Sequence, residues 1–367
     1  MGAAAGGAAA TGTGPQGAAQ ASSMAANPNQ GTTTNVFYPD NNQLPACATD
    51  PTCNMVMDGL SPYLPPDVIG LFDIPGTCQS KSRDWLRTNI NILEFKSERI
   101  RQRYAMSMFF CALDGGDWIS NESWISDIHE CDWFNRVGLD PCNRLEQMEM
   151  IRVPNNGLAG ELPMEMFIAS NLYEFNVANN LLDGTIPQFF DYMVELDTLV
   201  LPFNQFEGTI PDIFFTYKDL VYWDIGFNNF SGTLPADIDT KLPNLSVVFL
   251  ENNNLSGVIP DNLGNILTLT RLHLDDNNLI GTIPSTLGQP QRMSELRLHG
   301  NKLTGVVPAE LGGLNRLKEL TLHYNSLDEQ ALDPSICEQM YTNLLSVATV
   351  DANIACECCS PGEESPV

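Results

Sequence analysis

The chain has 367 residues and is strongly acidic, with 18 Lys and Arg against 45 Asp and Glu and a formal net charge of −27 at pH 7. This charge repels phosphate backbones and anionic membrane surfaces, so we expect no nucleic-acid partner. The longest apolar stretch, YAMSMFFCAL, is shorter than the roughly 20 residues that span a bilayer. The first residues show neither the basic start nor the apolar core of a signal peptide. We therefore expect a membrane to be involved only through a segment outside this chain.

Residues 1–45 are rich in Ala, Gly, Thr, Asn and Gln and have almost no charged or large apolar side chains. Such a composition cannot bury enough surface to offset the entropy of ordering, so we predict a disordered, low-complexity segment.

Residues 46–144 form the next region, which begins with a Pro-rich, Cys-containing stretch. From Asp84 to Leu113, apolar residues at helical spacing predict one or two helices. These residues are Leu86, Ile90, Leu93, Ile100, Tyr104, Met108 and Cys111. Seven of the 18 basic residues lie between Lys81 and Arg103. This basic island predicts a solvated helix face, with a partner contact as the alternative.

From Met148 the sequence repeats on the template LxxLxLxxNxLxGxIP with a spacing of 24 residues, once 25. The repeated asparagines are Asn156, Asn180, Asn204, Asn228, Asn253, Asn277, Asn301 and Asn325. The first seven copies keep the Gly and the Pro, the eighth loses both after Leu327, and a degraded ninth follows. Atypical terminal copies are what the capping of a repeat array requires. We assign residues 145–330 to eight repeats and residues 331–367 to a C-terminal cap with the ninth repeat, a CECC sequence and a short tail.

Each repeat predicts one coil of a solenoid. Alternating apolar residues such as Leu272 and Leu274 form a short strand, the Asn bonds backbone groups from inside, and Gly with Pro turns the chain back. One coil buries too little apolar surface to offset the ordering of its own backbone, so the coils fold only as a stacked array. The predicted fold class is α/β: a right-handed, curved solenoid with a parallel concave sheet, a helical disulfide-stabilised N-terminal cap and a Cys-rich C-terminal cap.

All ten cysteines lie outside the repeats, which suggests that disulfides close the two ends. We predict that Cys131 bonds Cys142 and that Cys337 bonds Cys356, Cys358 or Cys359; the pairing of Cys47, Cys53, Cys78 and Cys111 stays open. Disulfides and the N-x-S sequons at Asn121, Asn229, Asn244 and Asn254 favour secretion and glycosylation. We expect an extracellular or cell-surface protein.

The 24-residue unit with GxIP resembles the plant-type leucine-rich-repeat family over about residues 145–355. The preceding stretch GGDWISNESWISDIHECDWFNRVGLDPC is similar to the N-terminal cap of that family at Trp118, Trp124, Cys131, Trp133 and Cys142. The flanking sequences WLRTNINIL and VDANIACECC resemble extracellular or membrane-tethered leucine-rich-repeat proteins of diatoms and related algae. The resemblance implies recognition of a protein, peptide or glycan ligand on the concave face, as in receptor-like proteins and in secreted inhibitors of wall-degrading enzymes.

The sequence contains no motif of catalysis: no GxSxG, HExxH, Walker loop or GxGxxG. His129, within HECDW, matches the cap pattern and is expected to pack or cap rather than to react. We predict no enzyme activity and no cofactor. The leading hypothesis is a non-catalytic recognition protein, and the alternatives are a structural or adhesive wall component or a secreted inhibitor of wall-degrading enzymes.

The strand residues between the buried leucines point outward and should form the ligand site. In the early coils this face carries apolar and aromatic residues, interrupted by two acidic ones, and predicts a binding patch. Its residues are Tyr173, Val200, Phe203, Tyr222, Phe227, Val247 and Phe249, with Asp224 and Glu251. The alternative is that the residues before each Asn pack partly inward.

In the later coils the same face becomes polar, with His273, Arg297 and a row formed by Glu251, Asp275, His299 and His323. We expect no metal, because a single row cannot converge three ligands and Arg297 repels a cation. The remaining interpretations are a solvated face or a contact that responds to acid through Asp275 and His299.

Overall fold

A computed structural model describes residues 49–89, 91–134, 141–168, 172–187, 193–341, 347–350, 354–355 and 360–361. The predicted disordered segment, residues 1–45, lies outside the described residues, as does Cys356. Within the described residues, no helix combines the length and the apolar character that crossing a bilayer requires.

Four helices precede the repeats: α1 (Pro51–Leu60), α2 (Pro66–Leu71), α3 (Cys78–Arg87) and α4 (Ser97–Ala112). The predicted helices over 84–113 thus correspond to α4 and to the second half of α3, whereas α1 and α2 were not predicted. Leu93 does not lie on a buried helix face. The segment between α3 and α4 forms only a short 3-10 turn, Ile92–Glu94, and leaves Leu93 62% exposed.

The repeats form short strands joined by turns and 3-10 helices. The strands are β1 (Met150–Arg152), β2 (Ala159–Glu161), β3 (Glu174–Asn176), β4 (Leu181–Asp183), β5 (Thr198–Val200), β6 (Glu207–Thr209), β7 (Tyr222–Asp224), β8 (Asn229–Gly232), β9 (Val247–Phe249), β10 (Asn254–Val258), β11 (Arg271–His273), β12 (Asn278–Thr282), β13 (Glu295–Arg297), β14 (Lys302–Gly305), β15 (Glu319–Thr321), β16 (Ser326–Leu327), β17 (Gln330–Ala331), β18 (Val347–Val350), β19 (Ile354–Ala355) and β20 (Ser360–Pro361). Two further helices, α5 (Ile238–Lys241) and α6 (Pro334–Tyr341), lie within and after the repeats.

One strand from each coil joins a ten-stranded parallel sheet in the order β1-β3-β5-β7-β9-β11-β13-β15-β18-β20. A second parallel sheet, β16-β14-β12-β10-β8-β6, is formed by the strands that follow the repeated asparagines. The register advances one repeat at a time: Leu272 pairs with Val248 on one side and with Leu296 on the other. This arrangement is the predicted α/β solenoid with a parallel sheet along its concave side.

The repeated asparagines tie neighbouring coils together, as the template predicts. The Asn180 Nδ2 donates to the Val153 carbonyl at 2.9 Å and to the Val177 carbonyl at 2.8 Å, while its Oδ1 accepts from the Asn156 N–H at 3.0 Å and the Leu158 N–H at 3.1 Å. Each such side chain therefore satisfies buried backbone groups of its own coil and of the coil before it. The template leucines, such as Leu272, are fully buried between coils.

The N-terminal cap contains a buried ion pair. Arg103 and Glu130 are both completely buried, and the Arg103 Nη1 donates to the Glu130 Oε2 at 2.9 Å. The guanidinium also donates to two backbone carbonyls and lies between the rings of Trp85 and Trp133, 4.9 and 5.0 Å from their centroids. The basic island is thus not simply a solvated face, because Arg103 contributes to the core; Arg87 is likewise buried and paired with two aspartates.

Disulfides close the N-terminal cap. Cys78 bonds Cys111, which joins α3 to α4, and Cys131 bonds Cys142, the pair that the sequence predicts. Cys53 and Cys337 are also disulfide-bonded, with partners outside the described residues. The predicted choice among Cys356, Cys358 and Cys359 therefore also falls outside them.

Candidate recognition surface

The exposed side of the ten-stranded sheet, which we call the concave face, carries an aromatic cluster made of Phe203, Tyr222, Phe227 and Phe249. The rings of Phe203 and Phe227 stack with centroids 4.1 Å apart. Tyr222 meets Phe249 edge to face at 5.9 Å. Phe203 and Phe227 remain 48% and 38% exposed, whereas Tyr222 and Phe249 are half-buried. The structure thus brings four of the predicted patch residues into two ring pairs. Val200, at the end of β5, is half-buried.

The backbone under the stacked pair is unusual. The residue just before the repeated Asn has a positive φ in all eight coils, and this position holds Asn155, Asn179, Asn252, Asp276 or Gly300 in five of them. Asn, Asp and Gly adopt this left-handed conformation most easily. Phe203, with φ 56°, and Phe227, with φ 54°, occupy the same position with bulky aromatic side chains, and Tyr324 does so in the eighth coil.

Several residues expected on the exposed surface are buried instead. Asp224 is 8% exposed, His273 5%, Asp275 4% and Val247 7%. The cause is lateral packing between coils: the ring of His273, for example, stacks under Phe249 with centroids 4.3 Å apart. A strand side chain that points outward is therefore still buried where large side chains of adjacent coils cover it. Phe203 and Phe227, which directly precede a repeated Asn, remain exposed.

The remaining predicted residues of the early and middle coils are partly exposed. Tyr173 and Arg297 are half-buried. The Arg297 side chain pairs with Glu319, with 2.7 Å between Nε and Oε1. Arg271 places its guanidinium 5.2 Å from the Phe249 ring centroid, a contact that links the aromatic cluster to the polar half of the face.

A row of acidic and imidazole groups runs beside the aromatic cluster, as predicted from Glu251, Asp275, His299 and His323. Burial raises the pKa of Glu251 to about 7 and that of Asp275 to about 6. Burial also raises the pKa of Asp224, which precedes Glu251 along the face, to about 7. The His299 and His323 rings stack at 4.5 Å, and the His299 Nε2 lies 3.6 Å from the Asp275 Oδ2.

The two central histidines are harder to protonate than free histidine. Burial, followed by the charge of Arg297, lowers the pKa of His273 to about 3. Burial also lowers the pKa of His299. A response of His299 to acid is therefore expected below pH 6.5 rather than at the unperturbed value of about 6.5.

Sequence reasoning missed two features of this surface. Asp276, adjacent to the predicted row, lies with Asp275 and His299 in a group whose ligand atoms are within 4.8 Å of one another. The prediction that three ligands cannot converge was based only on the row of Glu251, Asp275, His299 and His323. Asp276 lies beside this row. The second feature is an open groove of about 610 Å³ that Phe227 shares with Glu161, Asp183 and Glu207, acidic residues of β2, β4 and β6 outside the ten-stranded sheet. The sequence signal for this groove was that Asp183 and Glu207 occupy the same position after the repeated Asn of their coils.

Three of the four sequon asparagines are accessible for modification. Asn229, Asn244 and Asn254 are exposed, and Asn229 and Asn254 hydrogen-bond each other on adjacent strands of the second sheet. Asn121 is half-buried, and its Nδ2 donates to the Gly115 carbonyl at 3.1 Å and to the Gly116 carbonyl at 2.9 Å. Glycosylation at these positions stays a prediction, with Asn121 the least accessible.

The repeats match known leucine-rich repeats. Residues 244–266 and 267–327 match two family models, both described as leucine-rich repeat. Residues 244–327 therefore carry leucine-rich repeats, which stack into the solenoid described above. No curated protein sequence is significantly similar to the chain.

Solved plant receptor structures are similar to the chain. A TDR receptor is 31% identical, with a TM-score of 0.52, over 56% of this chain and 35% of that one. The PEPR1–AtPEP1 structure is 26% identical, with a TM-score of 0.57, over 67% and 37%. The Arabidopsis receptor kinase HAESA, in complex with the peptide hormone IDA and the co-receptor SERK1, is 25% identical, with a TM-score of 0.55, over 70% and 46%. The chain thus spans less than half the length of each of these proteins.

Proposed function

We propose that this protein is a non-catalytic, extracellular recognition module that binds a peptide or an extended protein segment on its concave face. The observation that carries the proposal is the exposed stack of Phe203 and Phe227 on backbone of positive φ. The disulfides and the exposed sequon asparagines support an oxidising, secretory environment.

The stacked pair lowers the stability of the protein, and the fold does not require aromatic side chains at these positions. A left-handed conformation costs an ordinary residue about 1–2 kcal/mol, and five other coils avoid this cost with Asn, Asp or Gly. The two rings also leave apolar surface in water. Strained residues of this kind concentrate at functional sites, and exposed aromatic side chains give large contact area with little loss of side-chain entropy.

The surroundings of the pair indicate the chemistry of the ligand. In the described part of the chain, the groove beside Phe227 is lined by Glu161, Asp183 and Glu207 and by no basic residue. A basic side chain of the ligand would pair with these carboxylates and stack on the neighbouring rings. A peptide ligand also agrees with the similar HAESA structure, which holds a peptide hormone. We therefore propose a peptide that combines an apolar anchor with at least one basic side chain.

The test is selection of a random 16-residue peptide library on the parent protein, followed by calorimetric titration of the enriched peptides. We expect basic, apolar-containing peptides whose affinity falls at least tenfold for the double variant Phe203→Asn, Phe227→Asn. A matched control replaces two exposed apolar residues outside the concave sheet, Val258→Asn and Val306→Asn, and should bind like the parent. Absence of enrichment, or equal affinity for all three proteins, would reject the proposal.

A further inference from the structure

Three potential metal ligands converge on the concave face, next to the aromatic cluster. Asp275 and Asp276 follow β11 in one coil, and His299 follows β13 in the next coil. The His299 Nε2 is 3.6 Å from the Asp275 Oδ2 and 4.0 Å from the Asp276 Oδ2. One ligand atom from each residue lies within 4.8 Å of the other two.

The Asp275 carboxylate is incompletely satisfied by the protein. Its side chain is only 6% accessible, and its Oδ1 is buried without a hydrogen-bond donor among the residues that the structure describes. A buried carboxylate oxygen without a partner is costly, and buried charges in proteins are generally paired or coordinate metals. The nearby cationic side chain, Arg297, is paired with Glu319 through Nε to Oε1 at 2.7 Å and Nη2 to Oε2 at 3.1 Å.

His299 is held in the orientation that a metal ligand needs. Its Nδ1 is 2.8 Å from the Thr321 Oγ1, and its ring stacks on that of His323. When Nδ1 donates its proton to Thr321, the lone pair of Nε2 is directed to the two aspartates. A hydrogen bond from the second ring nitrogen is the usual support of a ligating histidine.

Gly300 makes room for the third ligand. It has a φ of +64°, and a Cβ built on it would lie 2.1 Å from the Asp276 Oδ1. Any side chain at position 300 would therefore require the Asp276 carboxylate to move. The Asp276 side chain is 49% accessible and is free to rotate closer.

We propose that Asp275, Asp276 and His299 bind one divalent transition-metal ion, with zinc as the ion that best suits the ligand set. One imidazole and two carboxylates form a mixed nitrogen and oxygen set, which zinc accepts, whereas calcium takes six to eight oxygen ligands. Bonds to zinc are about 2.0–2.2 Å long, so the three ligand atoms must approach one another when the ion binds. The site does not depend on the proposed peptide binding.

Calorimetric titration of untagged, chelator-treated full-length protein with zinc chloride tests the site. We expect saturable binding of one ion, weakened at least tenfold by Asp276→Asn and by His299→Gln. The controls Asp212→Asn, an exposed carboxylate outside the cluster, and His129→Gln should bind like the parent. Absence of saturable binding by the folded parent, or equal binding by all variants, would overturn the proposal.

A second measurement needs no variant and so holds even if a substituted protein misfolds. Diethyl pyrocarbonate modifies accessible histidines, and peptide mapping reports the extent at each position. Zinc should lower the extent of modification at His299 of the parent. Equal modification of His299 with and without zinc would also overturn the proposal.

Discussion

Phe203 and Phe227 stack with ring centroids 4.1 Å apart, and both stand on backbone of positive φ. The same position in the preceding coil is Asn179, at φ 56°. The molecule thus contains matched positions that differ only in carrying an aromatic ring or the amide side chain that suits this conformation. Substitutions at these positions measure the effect of the aromatic rings on stability separately from their effect on ligand binding.

Phe203→Asn is expected to leave the free energy of unfolding unchanged or to raise it by up to about 1–2 kcal/mol, because Asn tolerates the left-handed conformation. The reciprocal change, Asn179→Phe, should lower it by a similar amount. Urea unfolding of both variants measures the two effects. A loss in Phe203→Asn well beyond the roughly 0.5–1.5 kcal/mol that an aromatic pair contributes would show that the ring supports the fold.

Leu274→Ala should lower the free energy of unfolding by about 2–5 kcal/mol, because Leu274 is fully buried between two coils and its truncation leaves a cavity. The exposed Thr282→Ala in the same coil is the control and should change stability by less than about 0.5 kcal/mol. Thermal or urea unfolding gives both values. A neutral Leu274→Ala would contradict the register of the coils.

Glu130→Gln should lower the free energy of unfolding by about 3–5 kcal/mol, because it leaves the Arg103 charge buried without its carboxylate. Burial already lowers the pKa of Arg103. The double variant Arg103→Met, Glu130→Gln removes both charges and should recover part of the loss. If the double variant lost as much as the sum of both single changes, the pair would not be coupled.

Stability should depend on pH through Asp224, whose pKa burial raises to about 7. The unfolded chain loses this proton near pH 3.9, whereas the folded protein keeps it until about pH 7. The contribution of Asp224 is therefore fully present below about pH 3.9 and is lost as the pH rises through 7. Asp224→Asn should gain stability relative to the parent between pH 4 and pH 8.

Urea unfolding of the parent and Asp224→Asn at several pH values measures this difference. The difference removes the opposite effect of His273, whose lowered pKa destabilises the folded state below pH 6.5. The control Asp212→Asn removes an exposed carboxyl and accounts for the loss of one charge elsewhere on the surface. Parallel curves for the parent and Asp224→Asn would contradict the raised pKa.

The repeats could be predicted from sequence because one template fixes strand, turn and buried leucine in every coil. The hydrogen bonds of Asn180 follow directly from that template. The first two helices were not predicted, because the helical spacing of apolar residues indicated helices only from Asp84 onward. Pro51 in fact begins α1, where Pro is favourable, and the Asp50 side chain caps this helix.

The recognition surface was predictable only in part. The template gives the direction of a strand side chain but not how far its neighbours cover it, and so the burial of Asp224, His273 and Asp275 could not be predicted. The stack of Phe203 on Phe227 follows from their shared template position. The approach of Asp276 to His299 depends on Gly300 in the next coil, a relation across coils that single-repeat reasoning does not reach.

The most direct test of the central claim is photo-crosslinking of an enriched library peptide to protein with p-benzoylphenylalanine in place of Phe203. The same group in place of Val258, exposed on the second sheet, is the control. We predict that the peptide crosslinks to position 203, that excess unlabelled peptide prevents the crosslink, and that position 258 gives none. Crosslinking at position 258 but not at position 203 would contradict binding on the concave face.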